Sequence, residues 1–362
     1  MIKNDIKEKF MLKAIKLAEK GIGAVNPNPL VGAVIVKNGK IIGQGCHVLY
    51  GGLHAERNAF LSLKESAEDS DLYVTLEPCN HYGKTPPCTE AIIENKVKRV
   101  IIGSSDPNPL VCGKGISRLR EAGIDVITGF LKEKCDALNS IFFHFIKEHT
   151  PYVLLKYAMT LDGKIATKNG QSKWISGKES REYVQYLRNK YSAIMVGINT
   201  VITDDPLLTC RLKGKRSPVR IICDSNLKIN LNSQIVKTAD KYKTIIACAS
   251  VNKEKEECLV KKGIQVVCFN KENKVDLPRL MSYLGKQNID SILLEGGGTL
   301  NEAMLKENLV NEINVFIAPK IFGGNSKTPV MGEGVADITD AYNFHIADIR
   351  NFGNDIMVSC LK

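Results

Sequence analysis

Four residues in the first quarter of the chain have the types and the order of a catalytic metal site. His54 and Glu56 open one predicted helix, whereas Cys79 and Cys88 lie between the end of a predicted strand and the start of the next predicted helix. One imidazole and two thiolates are donors that Zn²⁺ prefers, and three protein ligands leave the fourth tetrahedral position open to water. Glu56 is then predicted to carry protons rather than to bind the metal.

The order of these residues indicates a reaction type. A His-x-Glu followed by Pro-Cys and a second cysteine is the signature of zinc deaminases, in which the glutamate acts as general acid and base. The usual Pro-Cys-x-x-Cys is stretched here, because Asn-His-Tyr-Gly-Lys-Thr-Pro-Pro separates Cys79 from Cys88. Cys88 is still predicted to begin a helix, whose dipole favours a thiolate. His81, inside this loop, is predicted to order the loop or to contact substrate, since a fourth protein ligand would close the site to water.

A second group of candidate residues lies in the other half of the chain. Residues 295–300, Glu-Gly-Gly-Gly-Thr-Leu, connect a predicted strand to a predicted helix. Such a turn lets backbone N–H groups approach a pyrophosphate, although without G-x-G-x-x-G spacing it is equally explained by turn geometry alone. Trp174, the one tryptophan, lies in a polar loop, which favours a pocket over the core. Asp204 and Asp205, before Pro206, are by themselves typical of a capped turn.

Two α/β units are predicted to position these residues. The chain has 362 residues, 44% hydrophobic, which is more than one core usually serves. In the first half, the residue patterns predict a helix over 7–20 and a hairpin around Asn38-Gly39. Alternating helices and strands are predicted after the hairpin, up to an amphipathic stretch at 132–147. A new strand is predicted at 152–157, after Pro151. The predicted domains are therefore 1–148 and 149–362.

Composition excludes several classes of protein. The net charge of +11 favours anionic partners. Eleven cysteines, odd in number and scattered, with no apolar signal core at the N-terminus, predict a reduced, cytoplasmic protein. No apolar run is long enough to cross a bilayer, so no membrane partner is expected. Aromatic residues make up only 6%, and no basic stripe interleaved with aromatics is present, which argues against a nucleic-acid partner.

Five strings resemble the RibD family, bifunctional riboflavin-biosynthesis proteins in which a deaminase is fused to a reductase. They are Asn-Pro-Leu-Val-Gly at 28–32, Gly-Cys-His at 45–47, His-Ala-Glu at 54–56, the whole stretch 77–88, and Asp-Pro-Asn-Pro-Leu at 106–110. The resemblance implies a cytidine-deaminase-like α/β/α domain with one Zn²⁺ per chain. It also implies hydrolytic deamination of a phosphoribosylated diaminopyrimidine, with Asn28, His47 and Lys84 contacting that substrate. A cation such as Lys84 suits a ribose phosphate.

Further strings resemble the reductase half of the same family, at 161–166, 174–176 and 204–211. The resemblance implies a dihydrofolate-reductase-like α/β domain, rather than a Rossmann fold, that uses NADPH to reduce the ribosyl side chain to ribityl. The implied cofactor contacts are Ala158, Trp174, Thr200, Asp204, Gly297, Gly298, Thr299 and Leu300. The implied substrate contacts are Lys156, Ser172, Arg188, Leu208, Arg211 and Glu295. A homo-oligomer, dimer or tetramer, is implied as well.

Two other functions are compatible with parts of this sequence. The zinc motif also occurs in enzymes that deaminate bases in nucleic acids, in which case the second domain would be a scaffold. Alternatively, the second half is a non-enzymatic oligomerisation module that keeps a glycine turn for geometry only. Both alternatives leave the strings of the second half unexplained.

Overall fold

The structure, a computed structural model, describes residues 7–82, 86–108 and 111–362. The chain divides into two compact units, Met1–His149 and Thr150–Lys362. Each unit has its own large sheet with helices against it. No helix in the described stretches is both long and apolar enough to cross a bilayer.

The first unit is built on a five-stranded sheet in the order β2-β1-β3-β4-β5. Its strands are β1 (Gly32–Lys37), β2 (Lys40–Cys46), β3 (Asp71–Leu76), β4 (Arg99–Ser104) and β5 (Asp125–Ile127). Its helices are α1 (Glu8–Ala18), α2 (Ala55–Leu61), α3 (Cys88–Glu94), α4 (Lys114–Glu121), α5 (Lys132–Leu138) and α6 (Ser140–Glu148). The strand β1 is antiparallel to both of its neighbours, and the remaining pairs are parallel.

Both faces of this sheet are covered, which explains its continuous apolar strands. Ala33 and Ile35 of β1 pack in a core with α2 and α3, whereas Val34 and Val36 pack with α1 on the other face. The predicted hairpin between β1 and β2 is present, with Asn38 and Gly39 both at positive φ (50° and 73°), as a two-residue turn of this type requires.

The amphipathic stretch 132–147 forms two helices, α5 and α6. The break falls at Asn139, which has a φ of −116° and lies between α5 and α6. Its side chain accepts a hydrogen bond from the Leu30 backbone N–H at 2.8 Å and donates one to the Leu30 carbonyl at 2.9 Å. A long-range contact that periodicity does not reveal therefore ends the first helix.

The second unit is built on a nine-stranded sheet in the order β10-β9-β8-β7-β13-β6-β14-β16-β15, with a small hairpin, β11-β12, beside it. Its strands are β6 (Tyr152–Thr160), β7 (Ala193–Gly197), β8 (Val219–Cys223), β9 (Thr244–Cys248), β10 (Ile264–Cys268), β11 (Asn270–Lys271), β12 (Lys274–Val275), β13 (Ser291–Leu294), β14 (Glu312–Ala318), β15 (His345–Phe352) and β16 (Asp355–Leu361). Its helices are α7 (Lys178–Lys190), α8 (Ile198–Asp204), α9 (Gln234–Lys237), α10 (Lys253–Lys261), α11 (Leu277–Lys286) and α12 (Gly298–Lys306). Short 3₁₀ turns cover Glu19–Gly21 and Ile338–Asp340.

Seven strands of this sheet run parallel: β10, β9, β8, β7, β13, β6 and β14. The strands β16 and β15 add an antiparallel edge. The main core packs β6, β7 and β13 against α11 and α12 through residues such as Leu155, Met195, Leu284 and Met304. The sequence did not indicate β15, because almost all of its residues are exposed and no buried side alternates with a polar one. The predicted α/β class holds for both units.

Candidate active sites

The three predicted metal ligands converge in the first unit. His54 is the residue before α2, Cys79 follows β3, and Cys88 is the first residue of α3. The Nδ1 atom of His54 lies 3.4 Å from the Sγ of Cys79 and 3.3 Å from the Sγ of Cys88. All three donor atoms lie within 4.8 Å of one another. This spacing and the soft donor set fit a single tetrahedral Zn²⁺ with one position left for water.

The two cysteines are held together by the backbone around them. The Cys88 N–H donates to the Sγ of Cys79 at 3.4 Å, and the Thr89 N–H donates to the Cys79 carbonyl at 3.2 Å. The N-terminus of α3 therefore faces the Sγ of Cys79. The hydrogen bond from the Cys88 N–H and the helix dipole both favour the thiolate form of Cys79. The long interval between the cysteines does not prevent their approach.

Arg57 fixes the segment that leads into Cys88. Its guanidinium donates to the carbonyls of Pro86 at 3.1 Å and Pro87 at 2.9 Å. We expect Arg57→Ala to weaken zinc binding by about tenfold, because groups that orient metal ligands typically contribute that much to affinity. Competition with a zinc chelator measures the change. Arg118→Ala, in an exposed position on α4, is the control, and equal loss in both variants would contradict the role of Arg57.

Glu56 lies beside the ligands, in the first turn of α2, and only 3% of it is exposed. Burial raises the pKa of its carboxyl to about 7. A carboxyl with a pKa near neutrality can both accept and release a proton, which is what a proton carrier in hydrolysis must do. Its side chain also interacts with the thiol of Cys88, so it is directed to the ligand cluster.

Two of the three residues predicted to contact the first substrate also lie at this cluster. The ring of His47 lies 5.7 Å from the ring of His54, and burial lowers the pKa of His47, so its ring is neutral near pH 7. Because the Leu53 carbonyl can only accept, the Nδ1 of His47 donates to it at 3.0 Å, which leaves the Nε2 to accept from the Asn28 amide at 3.2 Å. The third residue, Lys84, lies outside the described residues.

Two buried carboxylates near the ligands were not assigned roles by the sequence. Glu77 accepts hydrogen bonds from the N–H groups of Gly113, Gly115 and Ile116 at 3.1, 3.2 and 3.3 Å and so caps the start of α4. No local pattern predicts this cap, since 36 residues or more separate the partners. Asp106, in the Asp-Pro-Asn-Pro-Leu string, is 8% exposed, and burial raises its pKa to about 6. Pro109 and Leu110 of that string lie outside the described residues.

The second unit contains a cavity of about 580 Å³ at the carboxyl ends of its parallel strands. Binding sites in parallel sheets occur at this edge. Six of the eight predicted cofactor residues line the cavity: Thr200, Asp204, Gly297, Gly298, Thr299 and Leu300. Ser172, predicted to contact the second substrate, lines it too.

Two predicted cofactor residues are not part of that lining. Ala158 packs against the apolar cluster that contains Val184 and Phe316. Trp174 is 62% exposed, with the guanidinium of Arg181 4.6 Å from its ring centre. Trp174 therefore lies outside the core, as its polar surroundings indicate. It is not among the residues that line the cavity.

In the glycine turn, Gly298 lies too close to a neighbouring side chain to carry one of its own. Gly297 precedes α12, and a Cβ atom on Gly298 would lie 2.5 Å from the Cγ of Met331. The first turn of α12, residues 298–300, lines the cavity, and the start of a helix suits a pyrophosphate. The size of the cavity, the hydroxyl of Thr200 and this helix start fit a dinucleotide.

A cluster of charged side chains includes Glu295, the residue directly before the glycine turn, and the side chains of Arg188 and Glu295 are each only 13% exposed. The Nε and Nη2 atoms of Arg188 donate to the two carboxylate oxygens of Glu295 at 2.9 and 3.0 Å, and its Nη1 donates to the Thr209 carbonyl at 3.1 Å. Burial opposes the charge of Glu295, but the charges of Arg188 and Lys156 hold its pKa at about 2. Burial in turn lowers the pKa of Lys156.

The remaining predicted substrate residues lie on the loop after α8. Leu208 is 3% exposed and has a φ of 55°. Arg211 is exposed, with its backbone N–H bound to the side-chain carbonyl of Gln185 at 2.9 Å. Of the two arginines considered for a phosphate, Arg188 already donates three hydrogen bonds within the protein, whereas the guanidinium of Arg211 is exposed to solvent.

The cavity also has polar lining residues that the sequence analysis missed. They are Asn199, Thr203, Ser225, Lys274 and Lys327. Asn199 and Thr203 are on α8, Lys274 is on β12, and the other two are on loops, so these residues come from separate parts of the chain. None of them belongs to a recognisable motif. Only the alignment of the strand ends brings them to one wall.

Comparisons with known proteins cover both units. Residues 4–104 match the family model of the cytidine and deoxycytidylate deaminase zinc-binding region, and residues 151–358 match that of the RibD C-terminal domain. The chain is 51% identical over 351 residues to riboflavin biosynthesis protein RibD of Actinobacillus pleuropneumoniae, covering 96% of this chain and 93% of that protein. It is 38% identical to RibD of Escherichia coli, covering 96% and 97%.

Solved structures give the same result. A deaminase/reductase from Thermotoga maritima, described as acting on diaminohydroxyphosphoribosylaminopyrimidine and 5-amino-6-(5-phosphoribosylamino)uracil, is 38% identical with a TM-score of 0.87, and 98% of each chain is covered. RibD of Acinetobacter baumannii is 34% identical, also with a TM-score of 0.87 and 98% coverage of each chain.

Proposed function

Because the chain belongs to the RibD family of riboflavin-biosynthesis proteins, with a zinc deaminase domain followed by a reductase domain, we propose specific substrates, a specific cofactor and specific residues for its two reactions. The first reaction is hydrolytic deamination of 2,5-diamino-6-(5-phosphoribosylamino)pyrimidin-4-one to 5-amino-6-(5-phosphoribosylamino)uracil. The second is reduction of the ribosyl side chain of that product to ribityl by NADPH. The sequence-based prediction of a bifunctional deaminase and reductase is confirmed.

In the deaminase domain, His54, Cys79 and Cys88 would hold one Zn²⁺. When bound, the metal supplies Lewis-acid activation of water. The observation that carries this proposal is the position of Glu56 against the ligand cluster with a pKa of about 7. Its carboxylate takes a proton from the attacking water and delivers a proton to the amine, which leaves as ammonia. His47 and Asn28 hold the pyrimidine beside it, and Lys84 binds the substrate phosphate.

In the reductase domain, the cavity would bind NADPH, with Gly297–Leu300 at the pyrophosphate and Thr200 and Asp204 beside it. When bound, NADPH supplies the hydride, so the protein has to bind and orient. Arg211 binds the phosphate of the substrate. Arg188, Glu295 and Lys156 form the charged floor of the substrate pocket, with Ser172 and Leu208 at its walls. Ala158 and Trp174 do not line the cavity. They contact the part of the nicotinamide half that extends beyond it.

Residues 151–358 match the family model of the RibD C-terminal domain. This match favours a reductase over the alternative in which the second half is only a scaffold. One experiment tests both proposed reactions. Ammonia release from the diaminopyrimidine by zinc-loaded protein is measured while NADPH oxidation is recorded in the same cuvette. Ammonia release followed by NADPH oxidation is expected; oxidation of NADPH before any ammonia appears would contradict the proposed order, and no ammonia would contradict the proposed substrate.

We also propose a cytoplasmic location, supported by the eleven cysteines, none of which is paired in a disulfide.

A homo-oligomer, dimer or tetramer, is proposed through the edge of the nine-stranded sheet. The edge strand β15 exposes Ile346 and Ile349, at 63% and 59%. An exposed edge strand of this length is a template for pairing with another strand, which would cover its two isoleucines. We expect Ile349→Lys to lower the molar mass in solution to that of a monomer, as measured by light scattering. Val260→Lys, at an apolar position 55% exposed on α10, should leave the mass unchanged; a mass unaffected in both variants would place the interface elsewhere.

A further inference from the structure

The cavity of the reductase domain crosses four strands. Ser172 lies on the loop after β6, Gly297 follows β13, Thr200 follows β7, and Ser225 follows β8. These strands are neighbours in the order β8-β7-β13-β6. With adjacent strands about 4.8 Å apart, the cavity extends roughly 14 Å across the sheet. That span suits an extended dinucleotide rather than a single base.

The position of the charge cluster indicates the direction in which a dinucleotide lies in the cavity. Lys156 is on β6 and Glu295 follows β13, so the proposed substrate pocket is at the β6 end of the cavity. The carbon that is reduced has to meet the nicotinamide, which therefore lies at this end. The pyrophosphate lies in the middle, at Gly297 and the start of α12. The adenosine half is left at the β8 end.

Two lysines line the described part of the cavity, and they belong to opposite ends. The carbonyl of Lys327 accepts a hydrogen bond from the Ile165 N–H at 2.9 Å, which places Lys327 against the loop after β6. Lys274 is on β12, which packs beside β9, the strand next to β8. Lys274 is therefore the cation at the adenosine end.

Lys274 is available to a ligand. Its cross-strand neighbour in the hairpin, Lys271, donates to Glu307 at 2.7 Å and so anchors the hairpin to α12. Lys274 itself is exposed, and within the described residues it has neither an ion pair nor a hydrogen bond from its ammonium group.

Among the described residues, the β8 end has no carboxylate of the kind that a cofactor without a 2′-phosphate requires. The lining residues at the end of β8 and beside Lys274 are Cys223, Ser225, Val275 and Leu277, and none of them is acidic. The one carboxylate in the described lining, Asp204, is at the end of α8, which follows β7. Sites that select NAD typically place a carboxylate on the ribose 2′-hydroxyl. An ammonium group with three donors suits a phosphate instead.

We propose that Lys274 binds the 2′-phosphate of NADPH and thereby makes the cavity prefer NADPH to NADH. This inference rests on the proposed function, because it takes the cavity to be the dinucleotide site.

Calorimetric titration of NADPH and of NADH onto the full-length protein, without substrate, tests the assignment. Lys274→Met keeps the length of the side chain and removes its charge. It is expected to weaken NADPH binding roughly 10- to 100-fold, as loss of a charge-assisted hydrogen bond does, and to leave NADH binding unchanged. Unchanged NADH binding also shows that the variant is folded. Lys327→Met, which removes the lysine at the other end, is expected to keep the ratio of the two affinities.

The outcomes separate this inference from the proposed function. If Lys274→Met keeps the preference for NADPH, or if Lys327→Met abolishes it, the assignment to Lys274 is wrong. Equal affinity of the unmodified protein for NADPH and NADH also overturns it, while the cavity remains a dinucleotide site. Binding of neither dinucleotide by the unmodified protein would overturn the proposed function itself.

Discussion

Replacing Glu56 by glutamine is expected to abolish deamination while the protein keeps its zinc. The amide has nearly the same shape as the carboxyl, and the three ligands His54, Cys79 and Cys88 are unchanged. What is lost is the group that carries a proton from water to the leaving amine, and general acid and base catalysis of this kind contributes about 10²- to 10⁴-fold. Ammonia release should fall by at least that order, measured with zinc content determined on the same sample.

Two comparisons make this prediction specific. Cys88→Ser removes a ligand, so it should lower zinc content together with activity, whereas Glu56→Gln should lower activity alone. The reductase provides an internal control, because NADPH oxidation with 5-amino-6-(5-phosphoribosylamino)uracil added directly should be unchanged in Glu56→Gln. Normal ammonia release by a zinc-loaded Glu56→Gln protein would show that another group carries the proton.

The second large effect is expected at Glu295, the carboxylate between Arg188 and Lys156. Glu295→Gln leaves Arg188 and Lys156 without a neutralising charge. The side chains of Arg188 and Glu295 are each only 13% exposed, and breaking a buried ion pair from one side costs about 3–5 kcal/mol. The free energy of unfolding of the reductase domain should fall by about that amount, measured by urea denaturation. Reduction should be lost as well, while ammonia release by the deaminase domain continues.

The stability conferred by Glu295 should depend on pH in a defined direction. Its pKa is lowered from an ordinary value of 4.5 to about 2, so its contribution is fully present above about pH 4.5 and is lost as the pH falls towards 2. Glu295→Gln should remove that dependence. Glu182→Gln, which breaks the exposed pair of Lys178 and Glu182 on α7, is the matched control and should change the free energy of unfolding by less than about 1 kcal/mol. Equal effects of the two substitutions would mean that the pair at Glu295 is not desolvated.

The chemistry of the first site follows from the types and order of a few residues. Few types of side chain can bind zinc or transfer a proton, so the residue types and their order identify His54, Glu56, Cys79 and Cys88. The structure brings these four side chains together. The two α/β units, their parallel strands and the hairpin at Asn38-Gly39 also follow from local patterns of apolar residues and turn residues.

The roles of the remaining groups depend on contacts between residues that are distant in the sequence. Asn139 ends a helix by bonding to Leu30, and Glu77 caps a helix that begins at Lys114; both partners are distant in sequence, so no periodicity encodes them. The side chain of Arg188 is committed to Glu295 and Thr209, although on a helix it reads as an ordinary exposed cation. Lys274 reaches the cavity wall only because parallel strands bring the loops at their carboxyl ends to one edge of the sheet. Contacts of this kind depend on the packing of whole elements, whereas the zinc ligands depend on the identity of single residues.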